Sequence, residues 1–380
     1  MEHYISGIKI DRLRHLSDIV ISLNPEERQH LLITGKNGSG KTSLLMAVQK
    51  YLRAINNGAL TDLQNSYIPE INLYRDGIDV QFNEYTEIDS LYRQGNFVTA
   101  YFPADRKTEM IRSHGVEEVK LEDSYEIDSA PGALLHKYMV HLKTQQSYAR
   151  NEGDKANADR IQKWFDRFVG ALQILLEDDS IELEYRYKEY DFKIHQRGRN
   201  PFGLDELSDG YSSVIHMVSD LILRMDRNWL LTDRLSEYDV EGIVLIDELE
   251  THLHIELQKK ILPFLTEFFP RIQFIVTTHS PYILNSVANA RAFDLERCME
   301  LENSFLYSSD GLAEGYFEAD EYSEELVRMM ERYRYLKEKK DLTGEERAER
   351  AVLRSRLKSI PDGFAREARD KFEEIEGRRL

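Results

Sequence analysis

The octet Gly35-Lys36-Asn37-Gly38-Ser39-Gly40-Lys41-Thr42 constrains this chain more than any other stretch, because it matches G-x-x-x-x-G-K-[ST] at every fixed position. Leu31, Leu32 and Ile33 before it make an apolar run suited to a buried strand, and Ser43 to Leu52 has the pattern of a helix. Glycines let the backbone turn its N–H groups inward around phosphates, and the following helix points its positive end at them. Gly35, Asn37, Gly38, Ser39, Gly40 and Ser43 are the expected cradle. Lys41 would neutralise β- and γ-phosphates, and Thr42 would place its hydroxyl on Mg²⁺.

Three distant segments bear on the same chemistry. In "EGIVLIDELE" the apolar run Ile243 to Ile246 ends in Asp247-Glu248. A buried strand ending in these acids suits Mg²⁺ held by Asp247 and an attacking water polarised by Glu248, since phosphoryl transfer needs chiefly positioning and charge stabilisation. In "QFIVTTHSPYIL" a strand from Phe274 to Thr277 leads to His279, where parallel α/β sheets place ligands. A neutral His279 imidazole could donate to a γ-phosphate; the competing reading is a capping or buried structural histidine. In "LDELSDGYSSVIHMVSDLI" Ser208, Asp209 and Gly210 precede an apolar helix and make a second phosphate-facing surface.

The rest of the chain carries the organisation. "YISGIKI" and "DIVISL" read as strands flanking "DRLRHL", and residues 71–102 hold short alternating segments that suggest antiparallel strands. Residues 104–131 read as a polar surface loop. "ALLHKYMVHLKTQQSYAR" and "ADRIQKWFDRFVGALQILL" have helical periodicity and read as a hairpin, with Trp164, Phe165, Phe168 and Leu172 as packing residues rather than a binding surface. From about Glu321 the chain is charged and helical, and mixed signs favour a solvated helical pair over an RNA-binding arm.

The formal net charge of −18 argues against a generally basic nucleic-acid coat. A lone cysteine, Cys298, excludes an intrachain disulfide and fits a reducing cytoplasm. No signal peptide and no apolar run of about 20 residues is present, so a cytoplasmic protein with no membrane partner is expected.

The ordered set GKNGSGKT, LSDGY, IVLIDE and TTHS resembles the ABC ATPases of the SMC/Rad-like branch, and "DELETHLHIELQKKI" followed by "TTHSPYIL" is similar to the OLD-like, defence-associated ATPases. The resemblance covers roughly residues 1–295. It implies an α/β P-loop ABC-ATPase head with a mixed sheet, an inserted helical hairpin and a C-terminal helical extension. The implied domains are an N-terminal lobe at 1–130, the insertion at 131–180, a C-terminal lobe at 181–317 and the extension at 318–380. It also implies ATP and Mg²⁺ as ligands, with each ATP sandwiched between one subunit's phosphate loop and the other's signature.

Three departures from the family pattern matter. The signature reads LSDGY rather than LSGGQ; "YFPADRK" stands at the Q-loop place, with Arg106 as its nucleotide-linked residue; and "ETHLH" occupies the D-loop place. Glu250, His252 and His254 in that last segment suggest a metal site less than a dimer-interface loop. The 101 residues after His279 carry no strand rich in paired acids, so no Toprim-type nuclease is expected in them. A transporter subunit and a DNA-repair or chromosome-associated head are the alternatives, the latter lacking long heptad arms. The family resembled most is the ATPase subunits of the Septu and PARIS anti-phage systems. That implies a homodimer of heads or a higher homo-oligomer, a separately encoded effector such as a nuclease, and a nucleic-acid or phage-protein trigger.

Overall fold

The computed structural model describes residues 2–56, 77–106, 110–231, 240–309, 311–312, 324–358 and 372–376. Residues 1–307 form one compact unit and 308–380 a second.

The first unit holds three sheets, a central six-stranded one, a smaller three-stranded one and a two-stranded pair. Strands β3 (His30–Thr34), β8 (Glu241–Ile246) and β9 (Ile272–Thr277) are buried at every position. Such near-continuous apolar strands belong to a parallel sheet covered on both faces. The sheet order is β11-β10-β3-β9-β8-β5, with β5 at Phe97–Phe102, β10 at Ala290–Asp294 and β11 at Met299–Leu301. All pairings are parallel except that of β11. Strand β9 therefore lies between β3 and β8, and the carboxyl ends of all three open side by side on the edge where α/β sheets place ligands. Helix α1 (Lys41–Asn56) follows β3 across the loop 35–40, and helix α6 (Ile255–Phe268) lies between β8 and β9 in the chain.

A smaller antiparallel sheet, β2-β1-β4, combines β1 (Ile5–Leu13), β2 (Leu16–Ser22) and β4 (Ile78–Phe82). Strands β1 and β2 run almost through the "DRLRHL" segment, leaving only Arg14-His15 as the turn, with Arg14 at φ 55°. Gln273 is fully buried and joins the two sheets: its side chain accepts from the Ile5 amide at 2.7 Å and donates to Ile5 and Gln29 carbonyls, each at 2.8 Å. A buried amide satisfied at both ends is what such a junction requires.

Two sequence expectations change here. "NFVTAYF" is not part of an antiparallel set: β5 pairs parallel with β8 in the central sheet, because its residues are buried on both faces. The 104–131 segment is not uniformly a surface loop, since Arg106, Ser113 and Ile127 are buried. Residues 71–76 lie outside the described set.

Helix α2 (Ile88–Arg93) precedes β5, and helices α3 (Leu135–Glu152) and α4 (Lys155–Leu176) make an antiparallel pair. Gly153 supplies the left-handed turn after α3, and the Asp154 side chain caps α4 by accepting from the Asn157 amide. Trp164, Phe165, Phe168 and Leu172 are at most 3% exposed. They pack toward β6 (Glu182–Arg186), β7 (Asp191–His195) and α5 (Asp209–Leu231), with Phe165 stacked on Phe192 and the Trp164 indole donating to Asp226 at 2.7 Å. The Trp164 face, otherwise a candidate docking surface on the hairpin, is thus core.

Burial pushes the Asp226 carboxyl up to about 7, against the opposing pull of hydrogen bonds from Trp164 and Tyr138. In the unfolded chain the same group sits near 3.8. Between those values the folded chain retains a proton that the unfolded chain has released, so stability falls as pH rises from about 4 to about 7. Melting temperatures of native protein and Asp226→Asn, measured at pH 5 and pH 8, should show a larger loss with pH for the native chain. Equal losses would contradict this account of Asp226.

In the second unit, α7 (Glu324–Glu338) and α8 (Gly344–Lys358) enclose a small core of Met330, Tyr333, Leu357 and Phe372. Thr343 and Glu346 make a reciprocal capping box before α8, and Arg332 forks onto Glu349 at 3.0 and 2.8 Å. This is the solvated helical pair that the mixed charges imply; residues 313–323 and 359–371 lie outside the described set.

Candidate functional site

The loop after β3 is shaped by its glycines. Gly35 has φ 133°, and a Cβ there would lie 2.8 Å from the Ser39 hydroxyl; Gly40 has φ 99°, with Leu16 crowding the same place. The Lys41 ammonium donates to the carbonyls of Gly35 at 2.8 Å and Lys36 at 3.2 Å, leaving one of its three donors for a ligand. A cavity of about 230 Å³ opens over this loop, lined by Asn37, Gly38, Gly40, Lys41, Thr42 and Ser43 together with Glu248, Arg14 and His15. Thr42 is exposed in the first turn of α1, while Ser39 is buried with its hydroxyl unpartnered.

The strand order brings both acids to this edge, where Glu248 lines the cavity and Asp247 is buried beside it. Asp247 and Glu248 follow β8, with Glu248 in the left-handed region at φ 46°. Thr277, at the end of β9, fixes both: its hydroxyl donates to Asp247 Oδ1 at 2.6 Å and accepts from the Glu248 amide at 2.7 Å. Burial lowers the Lys41 pKa, against the raising effect of Glu248, Glu250, Asp247 and Asp294. These carboxylates offset the positive charge that Lys41 offers a polyphosphate, a deficit that a divalent cation would make good. The exposed Thr42 hydroxyl and the Asp247 carboxylate supply oxygen donors of the kind Mg²⁺ takes. The residues present therefore fit a nucleotide with Mg²⁺.

His279 lies beyond β9. Burial, and then the Lys41 charge, lowers its pKa, so its imidazole is neutral near pH 7. Its Nε2 atom is buried and unpartnered. Its backbone amide is held by Glu250, whose carboxylate also accepts from Thr278 Oγ1 at 2.7 Å. Glu250 is thus an anchor of the histidine loop. Among the described residues, no cluster of His, Cys, Asp and Glu has the arrangement of a metal site, His252 and His254 included.

Ser208, Asp209 and Gly210 stand elsewhere. Ser208 and Asp209 are exposed at the start of α5, and none of the three lines the cavity over the phosphate loop. Within one chain this segment is therefore separate from the cavity over the phosphate loop.

Arg106 does not face the cavity, contrary to its expected link to the nucleotide. It is 8% exposed, and its guanidinium is spent on protein acceptors, because a buried arginine must satisfy all its donors. Conversely, Arg14 and His15 line the cavity although their motif signalled nothing; His15 Nε2 lies 3.2 Å from the Ser39 carbonyl. A basic pair at the tip of "RLRHL" was the only available sign.

Residues 147–285 match the family described as "AAA domain, putative AbiEii toxin, Type IV TA system". The chain is similar to "Septu protein PtuA" of Bacillus mycoides (strain KBAB4), 25% identical over 80% of this chain. It spans 41% of that relative's length. It is also similar to "Retron Vc95 probable ATPase" of Vibrio cholerae serotype O1 biovar El Tor, 22% identical over 71% of this chain and 69% of the relative. Among solved structures, the Smc head bound to the C-winged helix domain of ScpA covers 79% of this chain and 96% of its own, at 13% identity and a TM-score of 0.42. Aligned sequence over most of the chain thus agrees with the motif-based resemblance to defence-system ATPases. No helix among the described residues is long and apolar enough to cross a membrane.

Proposed function

We propose that this chain binds ATP with Mg²⁺ over the loop from Gly35 to Ser43 and hydrolyses it as the switch subunit of an anti-phage defence system. One observation carries the reading: Lys41, Asp247, Glu248 and His279 are delivered to one edge by three adjacent parallel strands, and a neutral, unpartnered imidazole nitrogen lies beside a carboxylate and a lysine. Lys41 holds the β- and γ-phosphates. Thr42 and Asp247 hold Mg²⁺, which when bound would neutralise charge developing on the phosphates. Glu248 orients and polarises the attacking water, and His279 Nε2 donates to the γ-phosphate.

The exposure of Ser208 and Asp209 away from this cavity supports a composite site, in which Ser208 and Gly210 of one copy close over the nucleotide of another. The acting form is then a homodimer of heads or a higher homo-oligomer. ATP binding closes two heads and hydrolysis releases them, giving a surface with two states of different affinity for a separately encoded effector, of the nuclease class. Similarity to a Septu protein and to a retron probable ATPase supports the defence setting. The charged helices of the second unit are the preferred docking element, since mixed charges specify partners.

The test is co-expression with the product of whichever gene neighbours this one, followed by its capture on the full chain and on a chain lacking residues 321–380. Capture by the full chain alone, with ATPase activity retained in both, supports the switch reading. A purified chain that hydrolyses no ATP with Mg²⁺ would sink it.

A further inference from the structure

Arg106 spends all five of its donors at a single junction. Its Nε donates to Ser213 Oγ at 3.0 Å, on the first turns of α5. One terminal nitrogen donates to the carbonyls of Asp247 at 2.6 Å and Pro103 at 3.3 Å; the other donates to those of Glu248 at 3.1 Å and Leu249 at 3.3 Å. Three consecutive carbonyls after β8 and one hydroxyl of α5 are therefore tied to a single rigid, planar group, which a lysine's three donors on one nitrogen could not span. A second contact joins the same two segments. A Cβ on Gly210 would lie 2.5 Å from the His252 carbonyl, so the start of α5 rests directly on the turn that continues from Glu248. On its other side that turn is fixed to β9, through the Glu248 amide on Thr277 Oγ1 at 2.7 Å and the Leu249 amide on the Thr277 carbonyl at 3.1 Å. The left-handed backbone of Glu248 is thus held from both sides, and α5 holds one of them.

We infer that Arg106 is a positioning residue that couples the two ATP sites of the assembly: it transmits displacement of α5, set by Ser208 and Gly210 on the partner's nucleotide, to the turn that aims Glu248 at the chain's own. The inference rests on the composite site proposed above, since it needs α5 to read one nucleotide and Glu248 to act on another. It adds that hydrolysis in one site is sensitive to occupancy of the other through this guanidinium.

The discriminating variant is Ser213→Ala in the full chain. It removes the acceptor on α5 and leaves the four carbonyl bonds, three of them on the Glu248 turn, so the fold should survive even if that of Arg106→Ala does not. ATPase rate against ATP concentration, binding of a fluorescent ATP analogue, and melting temperature are to be measured. A bond to a charged donor lost from the coupling path predicts a fall of about tenfold in kcat, with nucleotide affinity close to native. The Hill coefficient should drop toward that of independent sites. Ser213→Thr, which keeps the hydroxyl, should restore both. Native kcat and native cooperativity in Ser213→Ala, or a lowered melting temperature with unchanged cooperativity, would overturn the coupling role. If the native chain hydrolysed ATP in either case, the proposed function would stand without the coupling. A native chain with no ATPase activity would remove both.

Discussion

Glu248→Gln binds ATP with near-native affinity and turns it over at least about 100-fold more slowly: this is the expected result of removing one carboxylate charge from this site. The amide keeps the shape of the side chain, and the turn is held through the Glu248 backbone, whose amide donates to Thr277 Oγ1 and whose carbonyl accepts from Arg106, both left alone by the substitution. Phosphate contacts from Lys41 and the Mg²⁺ ligands Thr42 and Asp247 also survive. What is lost is the ability to polarise water. Lys41→Ala behaves differently. Its ammonium organises the loop by donating to the Gly35 and Lys36 carbonyls, and it stands in the field of the Glu248, Glu250, Asp247 and Asp294 carboxylates. Its removal should weaken binding itself, seen as a large rise in the dissociation constant of a fluorescent ATP analogue. Near-native turnover by Glu248→Gln would show that this carboxylate has no part in water activation.

The second large effect concerns assembly. Lys41→Ala and Ser208→Arg should each be inactive alone, one by emptying the chain's own site and the other by blocking the partner's. Ser208 is exposed and lies outside the cavity, so a change there has no direct route to the nucleotide in its own chain. In a mixed dimer, one site carries both defects and the other carries neither. A mixture of the two variants should therefore regain ATPase activity that neither has separately. If the sites were strictly coupled, as the Arg106 junction would make them in the extreme, recovery would be small; with Ser213→Ala added to both chains, recovery should rise as a fraction of the rate of the Ser213→Ala protein itself. Full activity in Ser208→Arg alone would contradict the sandwich.

How far the sequence led depends on what each motif fixes. The phosphate loop was legible because glycine positions and a lysine are demanded by backbone geometry and charge, independent of the surrounding fold. Asp247-Glu248 and His279 were legible as strand ends, since runs such as Ile243 to Ile246 are buried on both faces. Partner choice was not legible: "NFVTAYF" alternates like an antiparallel strand, yet β5 lies parallel to β8, a pairing set by tertiary packing rather than by its own residues. A motif's place in the chain also says nothing about where a long side chain turns. Arg106 sits at the position expected for a nucleotide-linked residue and points instead at three carbonyls and Ser213. Glu250 likewise gave no local sign that its carboxylate would accept from the His279 amide. Trp164 was readable as a packing residue, but its buried partner Asp226 lies 62 residues away and left no local sign.

The most direct measurement of the central claim is a cryo-EM structure of the full-length Glu248→Gln protein with ATP and Mg²⁺. The account predicts two chains closed on two nucleotides, with Lys41 of one chain and Ser208 and the Gly210 amide of the other within hydrogen-bond reach of the same γ-phosphate. A nucleotide enclosed by a single chain, with Ser208 facing solvent in every copy, would contradict it.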